Sequence, residues 1–173
     1  GINFTLFSIF AFSRSFIHLV LSNKITSRVE HIINTSPSTL KKITGVNTFL
    51  FDKFVCELKL PDGLEEIGEQ CFLDCPGFYG ELKLPSHLKK LGAGAFKGCK
   101  NLTGSLEIPQ TLTAIPAGAF NGCWFGGNLQ LHDGISAIGD NAFANCGFRG
   151  ELILPKDLRN ISNECFYNSD FSG

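Results

Sequence analysis

Hydrophobic residues recur along this chain with a period of about two dozen residues. The steps between equivalent leucines are 24, 24, 23 and 23 in the residue numbering, and the neighbouring apolar positions keep the same phase. Five aligned columns carry the pattern: Leu58, Leu82, Leu106, Leu129 and Leu152; Leu60, Leu84, Ile108, Leu131 and Leu154; Leu64, Leu88, Leu112, Ile135 and Leu158; Ile67, Leu91, Ile115, Ile138 and Ile161; Phe72, Phe96, Phe120, Phe143 and Phe166. Such a period is the signature of a solenoid, in which each unit buries its apolar face against its neighbours.

Each unit contains the same succession of short elements. Residues 57–60 (ELKL) alternate charged and apolar side chains, which is the period of a half-buried strand. Pro61 ends that strand because proline donates no hydrogen bond. Leu64 and Ile67 predict a second short extended segment, which is followed by a tight turn near Phe72. No segment has the periodicity of a helix longer than one or two turns, so we expect short strands and turns with little helix.

Two glycine columns lead to different predictions about the backbone. Glycine closes every unit: Gly80, Gly104, Gly127, Gly150 and Gly173. This column is the better candidate for a special turn or a close backbone approach. A second column contains Gly68, Gly92, Pro116, Gly139 and Ser162. Because proline fixes φ at about −65°, we predict that the second column does not require a positive φ.

The repeats divide the chain into a regular part and a less regular start. Five units are regular: 56–80, 81–104, 105–127, 128–150 and 151–173. Residues 36–55 form a degenerate unit, since Pro37, Leu40 and Ile43 lie one repeat step before their counterparts in the first regular unit. Six Lys/Arg against two Asp/Glu give residues 1–55 a charge of +4, and nine against fourteen give residues 56–173 a charge of −5. This change supports a boundary near residue 55.

Residues 1–35 have no assigned repeat. Their apolar stretches, GINFTLFSIFAF and FIHLVL, are interrupted by Ser13, Arg14 and Ser15, and neither reaches the ~18 residues of a membrane-spanning helix. A truncated secretory signal, degenerate repeats and out-of-frame sequence are the open interpretations of this segment. The chain contains no methionine and Gly173 falls at a repeat boundary, so we expect it to be a fragment of a longer protein.

The recurring motif is L-x-L-P-x-x-L-x-x-I-G-x-x-A-F-x-x-C. Its alanine–phenylalanine pair and cysteine are best seen at residues 95–99, 119–123 and 142–146. The motif resembles the BspA-like leucine-rich repeats of bacterial and protozoan surface proteins, well over residues 56–173 and poorly over 36–55. The resemblance implies a curved leucine-rich-repeat solenoid, α/β by convention but mostly parallel β with short turns. It also implies export or display at a cell surface, where related proteins are implicated in adhesion and host contact. Four residues depart from the motif: Cys71 and Cys165 at alanine positions, His132 at a proline position and Ser169 at a cysteine position.

The positions of the seven cysteines favour core residues over a metal site or disulfides. Cys75, Cys99, Cys123 and Cys146 form one column, so their side chains should stack about 4.8 Å apart in parallel directions that suit a disulfide poorly. Cysteine commonly behaves as a small buried hydrophobe. Cys71 and Cys75 form the only close pair in the sequence, and no second pair or nearby histidine completes a zinc set. We predict no metal site and no cofactor.

Catalytic motifs find no support in the sequence. The glycine-rich string at residues 92–98, GAGAFKG, superficially resembles a phosphate loop, but the aligned string PAGAFNG at residues 116–122 assigns it to the repeat. The four histidines share no column, and none has a serine or cysteine partner that the fold would bring near. We therefore predict that the chain is not an enzyme.

Outward side chains of the first strand of each unit form an extended surface, which we call the strand face. It contains two predicted columns: Glu57, Glu81, Ser105, Asn128 and Glu151; Lys59, Lys83, Glu107, Gln130 and Ile153. Solenoids usually bind their partners through surfaces of this kind. The alternative is that mixed charges only keep the sheet soluble and in register.

Trp124 is the one tryptophan of the chain. It shares a column with Pro76, Lys100, Gly147 and Asp170, which predicts an exposed position. An exposed tryptophan is a candidate aromatic anchor at an interface. The other interpretation is that the ring folds over the shortened WFGG turn.

The sequence and the resemblance together predict a non-enzymatic repeat module that binds a protein or a glycan through the strand face. The alternative is a structural spacer that displays another domain. A net charge of −1 provides no general attraction to nucleic acid, so no nucleic-acid partner is expected. The resemblance implies an extracellular or cell-surface location, and any membrane attachment would depend on parts outside this sequence.

Overall fold

The computed structural model describes residues 41–44 and 55–172. Over these residues the chain forms a parallel β-solenoid of about five turns without a helix, which confirms the predicted fold class. Residues 1–35 lie outside the described part, and of the degenerate unit only 41–44 and 55 are described. The predicted boundaries in this region therefore stay predictions.

The strands are short and form two lines along the solenoid. The first-strand line contains β2 (Cys56–Glu57), β4 (Phe78–Glu81), β6 (Leu102–Thr103), β7 (Leu106–Glu107) and β9 (Leu129–Gln130). The second-strand line contains β1 (Lys42–Ile43), β3 (Glu66–Ile67), β5 (Lys90–Leu91), β8 (Ala114–Ile115), β10 (Ala137–Ile138) and β11 (Asn160–Ile161). All pairs are parallel, in the orders β2-β4-β6, β7-β9, β1-β3-β5 and β8-β10-β11.

The first two of these strands, β2 and β4, begin earlier than the predicted run at residues 57–60 and its counterpart at residues 81–84. In the first regular unit only Cys56 and Glu57 form β2, and in the second unit β4 begins at Phe78, within the predicted connection. The alternation still holds, because Leu58 is buried while Glu57 and Lys59 are exposed. Pairing stops soon after Leu58, whose N–H donates to the carbonyl of Tyr79 at 3.2 Å.

The second-strand line follows the repeat phase. Ile43 pairs with Ile67 and Ile67 with Leu91, each one repeat step further along the chain. In the shorter units Ile138 pairs with both Ile115 and Ile161. The inward position of each strand is thereby stacked on the same position of the next unit, which keeps this core column continuous across each pair.

Pro116 accounts for one missing hydrogen bond at an interruption of this line between β5 and β8. In the other units the residue after the strand donates its N–H to the carbonyl of the last strand residue of the preceding unit, at 2.8–2.9 Å: Gly68 to Ile43, Gly92 to Ile67, Gly139 to Ile115 and Ser162 to Ile138. Pro116 has no N–H, so the equivalent bond to Leu91 cannot form. The sheet divides at this point.

Two phenylalanine stacks fill the centre of the solenoid. In the first stack the centroids of adjacent rings lie 4.9–5.7 Å apart and the ring planes differ by 3–5°; its members are Phe72, Phe96, Phe120, Phe143 and Phe166. In the second stack Phe125, Phe148 and Phe171 lie 5.1 and 5.7 Å apart, and edge-to-face contacts join the two stacks. Burying one such ring contributes about 1.5–3 kcal/mol, and an aromatic pair adds roughly 0.5–1.5 kcal/mol.

The turn after the second strand has a left-handed residue at two places in each unit. The first column has φ between 51° and 61° and contains Gln70, Gly94, Gly118, Asn141 and Glu164. The second column has φ between 49° and 77° and contains Asp74, Gly98, Gly122, Asn145 and Asn168. Glycine and asparagine adopt this conformation most easily. The glycine-rich string at residues 92–98 is therefore accounted for by the turn.

The two glycine columns singled out in the sequence behave differently. Gly80 and Gly104 have φ of 94° and 80°, as expected for a special turn. Gly127 and Gly150 do not have a positive φ, but a Cβ atom at Gly127 would overlap the backbone of Gly104 and Ser105, which is the close approach that was the other expectation. Gly92, from the column that contains proline, also lacks a positive φ, as predicted. Its requirement is spatial, because a Cβ atom there would overlap the backbone of Gly68 and Glu69 in the preceding turn.

The cysteine column forms a ladder of hydrogen bonds to the phenylalanine carbonyls of the preceding unit. The Sγ atoms of Cys99, Cys123 and Cys146 donate to the carbonyls of Phe72, Phe96 and Phe120 at 3.0–3.1 Å. Ser169 takes the same position in the last unit, where its Oγ donates to the carbonyl of Phe143 at 3.0 Å. Substitution of cysteine by serine therefore preserves the ladder.

Candidate binding surface

The strand face lies on the surface of the solenoid. Nine of its ten side chains are exposed, and Ser105 is half-buried. They are held in place from below, because the alternate residues Leu58, Leu82, Leu106 and Leu129 are buried in the core. Since the first four units are each anchored by a buried leucine, their outward side chains have fixed positions along the solenoid.

The third and fourth regular units bring strand-face residues together as the columns predict. Glu107 pairs with Gln130 and Leu106 with Leu129, one repeat step apart. Ser105 Oγ accepts a hydrogen bond from the N–H of Asn128 at 3.0 Å. Both predicted columns are therefore present at this step.

The predicted columns are wrong for the first two steps. Glu57 pairs with Tyr79 and not with Glu81, and Glu81 pairs with Thr103 and not with Ser105. In both pairs the observed partner, Tyr79 or Thr103, lies two residues earlier in the sequence than the predicted partner. The shift coincides with the longer connection between cysteine and glycine, which is PGFY and KNLT in these units and WFG in the next. The extra residue lets the chain enter the strand early, as β4 shows by beginning at Phe78.

Charges on the strand face are partly neutralised within each strand. Lys59 Nζ lies 2.9 Å from Glu57 Oε2, and Lys83 Nζ lies 3.7 Å from Glu81 Oε2. Within residues 41–44 and 55–172, Glu107 and Glu151 form no ion pair. The unneutralised charge of the strand face is therefore negative and is located in the later units.

Tyr79 is an exposed aromatic residue that the sequence prediction missed. About half of the side chain is accessible (47%), and it stands beside Glu57 in the sheet. The residues PGFY fall in the predicted connection, which leaves Tyr79 out of the strand columns. The alternation of buried Phe78 and outward Tyr79 was the signal that could have identified it.

Trp124 is also exposed, with 66% of its surface accessible, as its column predicts. Among the described residues its ring makes no aromatic stacking contact. An indole in such a position presents a large apolar surface and one N–H donor. Its role as an anchor stays a prediction.

A second charged surface, which the sequence prediction missed, follows the second-strand line. We call it the Lys–Glu ladder; it consists of two parallel rows, Lys41–Glu65–Lys89 and Lys42–Glu66–Lys90, with N···O distances of 2.8–3.2 Å. Hydrogen bonds from the flanking lysines lower the pKa of both glutamates, and the Glu66 carboxylate raises the pKa of Lys42. The recurrence of lysine and glutamate one repeat step apart was the available signal, since in-phase strands bring these positions side by side.

The cysteines contribute to the core and not to the surface. Burial raises the pKa of Cys99 and of Cys146 to about 12, and it raises the pKa of Cys123 as well. These thiols stay protonated at neutral pH, so they are poor nucleophiles and poor metal ligands there. No group of three or more His, Cys, Asp or Glu side chains within residues 41–44 and 55–172 is arranged to hold a metal ion.

His132 fills a proline position by making two hydrogen bonds of its own. Its Nε2 lies 2.9 Å from the carbonyl of Leu112, and its Nδ1 accepts from the N–H of Gly134 at 3.2 Å. These contacts assign the hydrogen to Nε2. The ring therefore stabilises the turn and the packing between units.

No helix in the described ranges has the length and hydrophobicity needed to cross a membrane. No curated protein and no solved structure matched the chain significantly. The model of the BspA type leucine-rich repeat region matched the chain in six copies, in two matches over residues 4–79 and 43–172. The first match includes residues that the sequence pattern left unassigned. Together the two matches cover well over half of the sequence, and the repeat unit of the structure agrees with them. The chain belongs to the BspA-type leucine-rich repeat family.

Proposed function

We propose that this chain is a non-enzymatic binding module that contacts a protein or a glycan through the strand face. The observation that carries the proposal is the set of nine exposed outward side chains, seven of which lie in the four units whose strands are anchored by a buried leucine. A solenoid offers an extended surface whose side chains are positioned before a partner arrives, which reduces the ordering cost of binding. Modules of this repeat family are generally non-enzymatic.

The chemical variety of the strand face supports recognition of a specific partner. The face combines carboxylates, lysines, amides and Ile153, and the exposed rings of Tyr79 and Trp124 lie outside its two columns. Exposed aromatic rings beside polar groups are typical of interfaces. Trp124 is the proposed aromatic anchor.

Surface location and adhesion are part of the proposal. Repeats of this type are typically found on bacterial cell-surface proteins. A module displayed at the surface would meet extracellular proteins and glycans first, which are therefore the partners to test.

A structural spacer is the second candidate function. The pairs Lys59–Glu57 and Lys83–Glu81 neutralise charge within the strand face itself, which favours a surface adapted for solubility. A spacer would display another domain and would need no ligand of its own.

The test is a binding screen of the complete 173-residue chain against extracellular-matrix proteins, mucins and glycans. A strand-face variant replaces Lys59, Lys83, Glu107 and Gln130 by serine. A control variant replaces four exposed residues outside the strand face by serine: Glu69, Lys97, Lys100 and Asp157. Circular dichroism and urea unfolding would establish that both variants fold.

Binding by the parent and the control, with at least a tenfold loss in the folded strand-face variant, is the expected result. Equal binding by all three proteins would show that the binding site lies outside the strand face. Absence of binding to the whole panel would favour the spacer.

A further inference from the structure

A groove opens on the strand face between the second and third regular units. It has a volume of about 440 Å³ and is bounded by the segments 81–84 and 105–109. The first-strand line is interrupted here, because β4 pairs with β6 while β7 pairs, among the described strands, only with β9. Before the groove, the first strands pair two positions away from the repeat phase, and after it they pair in phase. The groove is therefore the point at which the two registers are joined.

Both walls of the groove carry backbone donors without a partner among the described residues. Leu106 and Ile108 donate their N–H groups to Asn128 and Gln130, on the side of the fourth unit, at 2.9 and 3.0 Å. Successive N–H groups of a strand point to opposite sides, so the N–H of Glu107 points toward the groove. On the other wall Gly80 of β4 donates to Asn101. Residues 81–84 continue beyond this strand with alternately exposed and more buried side chains, as in an extended chain, which directs the N–H of Leu84 to the same side as that of Gly80.

The floor of the groove is apolar and its rim is polar. Leu82 and Pro109 are buried and Leu84 is half-buried. Lys83, Glu107 and Gln130 are exposed at the rim. Apolar pockets next to free strand edges are suited to extended peptides, whose backbone pairs with the edge and whose alternate side chains enter the pockets.

The charges of the rim specify the ligand further. Lys83 and Glu81 lie 3.7 Å apart and neutralise each other. Glu107 forms no ion pair within residues 41–44 and 55–172, so its carboxylate is the unneutralised charge of the groove. A ligand with a cationic side chain near Glu107 would complete the pairing.

We propose that this groove binds an extended peptide segment of a partner protein, with apolar side chains over Leu82 and Leu84 and a lysine or arginine beside Glu107. The peptide backbone accepts hydrogen bonds from the N–H groups of Glu107 and Leu84. This inference rests on the proposed binding function and names its ligand class. A glycan is disfavoured because no aromatic residue lines the groove on which a sugar ring could stack.

The probe is a random linear heptapeptide library displayed on phage, selected against the complete chain. Enriched peptides should contain a basic residue next to apolar residues. Titration of a synthetic enriched peptide compares the parent with Glu107→Gln, Glu107→Lys and the control Glu151→Gln. The control removes a carboxylate of the strand face that is also exposed and unpaired but lies outside the groove. We expect weakening of about fivefold for Glu107→Gln and at least about tenfold for Glu107→Lys, with no change for the control.

A second measurement tests the backbone contacts without altering the protein. Single ester or thioamide replacements in the peptide weaken or alter its carbonyl acceptors one at a time. Two peptide carbonyls should be sensitive, and they should lie an odd number of residues apart, because the two donors lie on opposite walls and successive carbonyls of an extended peptide face opposite sides. Binding should also slow hydrogen exchange of the Glu107 amide.

Enrichment of acidic or uncharged peptides, binding that Glu107→Lys leaves unchanged, or no enrichment at all would overturn the peptide groove. The proposed function fails separately, through the panel of matrix proteins, mucins and glycans. If the panel yields a ligand that the strand-face variant loses but Glu107→Lys retains, the strand face binds and the groove inference is wrong.

Discussion

At the scale of single residues, two glycines are required for different physical reasons. Gly118 has φ of 61° with open space around a Cβ atom, whereas Gly92 lacks a positive φ but lies against the preceding turn. We expect Gly118→Ala to lower the free energy of unfolding by about 1–2 kcal/mol, the cost of a left-handed alanine. Gly118→Asn should lower the free energy of unfolding by only a few tenths of the loss for Gly118→Ala. Asparagine adopts the left-handed conformation more easily than alanine, and Asn141 occupies the same column. Gly92→Ala should cost more than Gly118→Ala, since it forces two backbones apart.

Urea unfolding of the three variants measures these differences. Equal losses for Gly92→Ala and Gly118→Ala would contradict the distinction between space and conformation. A loss for Gly118→Asn as large as that for Gly118→Ala would show that the left-handed conformation is not the limiting requirement.

The stacked thiols predict loss of stability in alkali. The pKa of Cys99 and of Cys146 is raised from 9.0 to about 12, and burial raises that of Cys123 as well. Between pH 9 and 12 the unfolded chain loses protons that the folded chain retains, so the free energy of unfolding falls as pH rises. Each thiol contributes a slope of about 1.4 kcal/mol per pH unit in this range and none well below pH 9.

Urea unfolding between pH 7 and 10.5 measures the slope. Cys123→Ser is the matched control, because serine retains the hydrogen bond seen at Ser169 but does not titrate. The slope of this variant should be smaller by the contribution of one thiol. An unchanged slope would mean that Cys123 does not stay protonated in the folded chain.

At the scale of elements, the Lys–Glu ladder aligns the second-strand line. Glu66 is held between Lys42 and Lys90 at 2.8 and 3.1 Å. We expect Glu66→Gln to lower the free energy of unfolding by roughly 1 kcal/mol at low salt. Glu66→Lys should lower it further, because three lysines would then be adjacent across the sheet. Thermal unfolding at low and high salt measures both effects, which salt should reduce.

Acid should act on the same ladder. The pKa values of Glu65 and Glu66 are lowered, so their stabilising effect is complete above the ordinary value of 4.5 and is lost as pH falls through the folded values. Stability that is unchanged by Glu66→Gln at neutral pH and low salt would contradict a role of the ladder in stability.

Pro116 is the element-scale feature with the most direct test. Pro116→Gly restores an N–H that can donate to the carbonyl of Leu91, as Gly92 donates to that of Ile67. We expect the amide at position 116 to be protected from hydrogen exchange to the same degree as the amides of Gly92 and Gly139. The free energy of unfolding should change by no more than about 1 kcal/mol, because the new hydrogen bond and the added flexibility of the unfolded chain oppose each other.

A matched comparison is Pro116→Ala, which supplies the N–H together with a Cβ atom. Gly139 is the equivalent residue of the next unit, and a Cβ atom there would overlap the backbone of Pro116 and Ala117. Close pairing of the backbones at this column therefore favours glycine. If the amide at position 116 exchanges freely in Pro116→Gly, the missing donor is not the cause of the interruption.

Element boundaries were the part of the fold that the sequence predicted least well. The core columns and the two strand lines follow from the repeat, but the register of the first strands differs by two positions in the first two steps. Alternation of side chains is preserved by such a shift, since it has a period of two. The hydrophobic pattern alone therefore could not distinguish the two registers.

At the scale of the whole molecule, the last unit is less well covered than the others. Leu154 and Ile161 are exposed by 45% each, whereas Ile108 and Ile138 in the same columns are buried. In a solenoid each unit is stabilised by its neighbours. We expect the amides of residues 152–171 in this chain to exchange faster than those of residues 105–150, and the chain to self-associate as its concentration rises.

Hydrogen exchange measured by mass spectrometry, together with sedimentation over a range of concentrations, tests this expectation. Full protection of residues 152–171 in a chain that stays monomeric would contradict it. Phe120→Ala gives a reference for a central unit. Removing a ring that is stacked between Phe96 and Phe143 should lower the free energy of unfolding by about 3–5 kcal/mol.

The candidate site was predictable in outline. The outward residues of each strand were identified from alternation, and Trp124 from its column; apart from the half-buried Ser105, these side chains are exposed. The groove was not identified, because it depends on which residues of neighbouring units are paired. A repeat alignment assumes that equivalent residues of neighbouring turns are paired, so it cannot reveal a place where the pairing is shifted. Tyr79 and the Lys–Glu ladder were missed although side-chain alternation and the repeat spacing carried their signals.

The sequence by itself determined the phase of the repeat, the inward columns and membership of the repeat family, because a core must be apolar at every turn and the motif recurs at each one. Only the tertiary structure decided the register between turns, the interruption at Pro116 and the groove beside Glu107. The physical reason is that these features depend on which backbone hydrogen bonds form between units. One extra residue in a connection, or one missing N–H, changes those bonds while leaving the hydrophobic pattern intact.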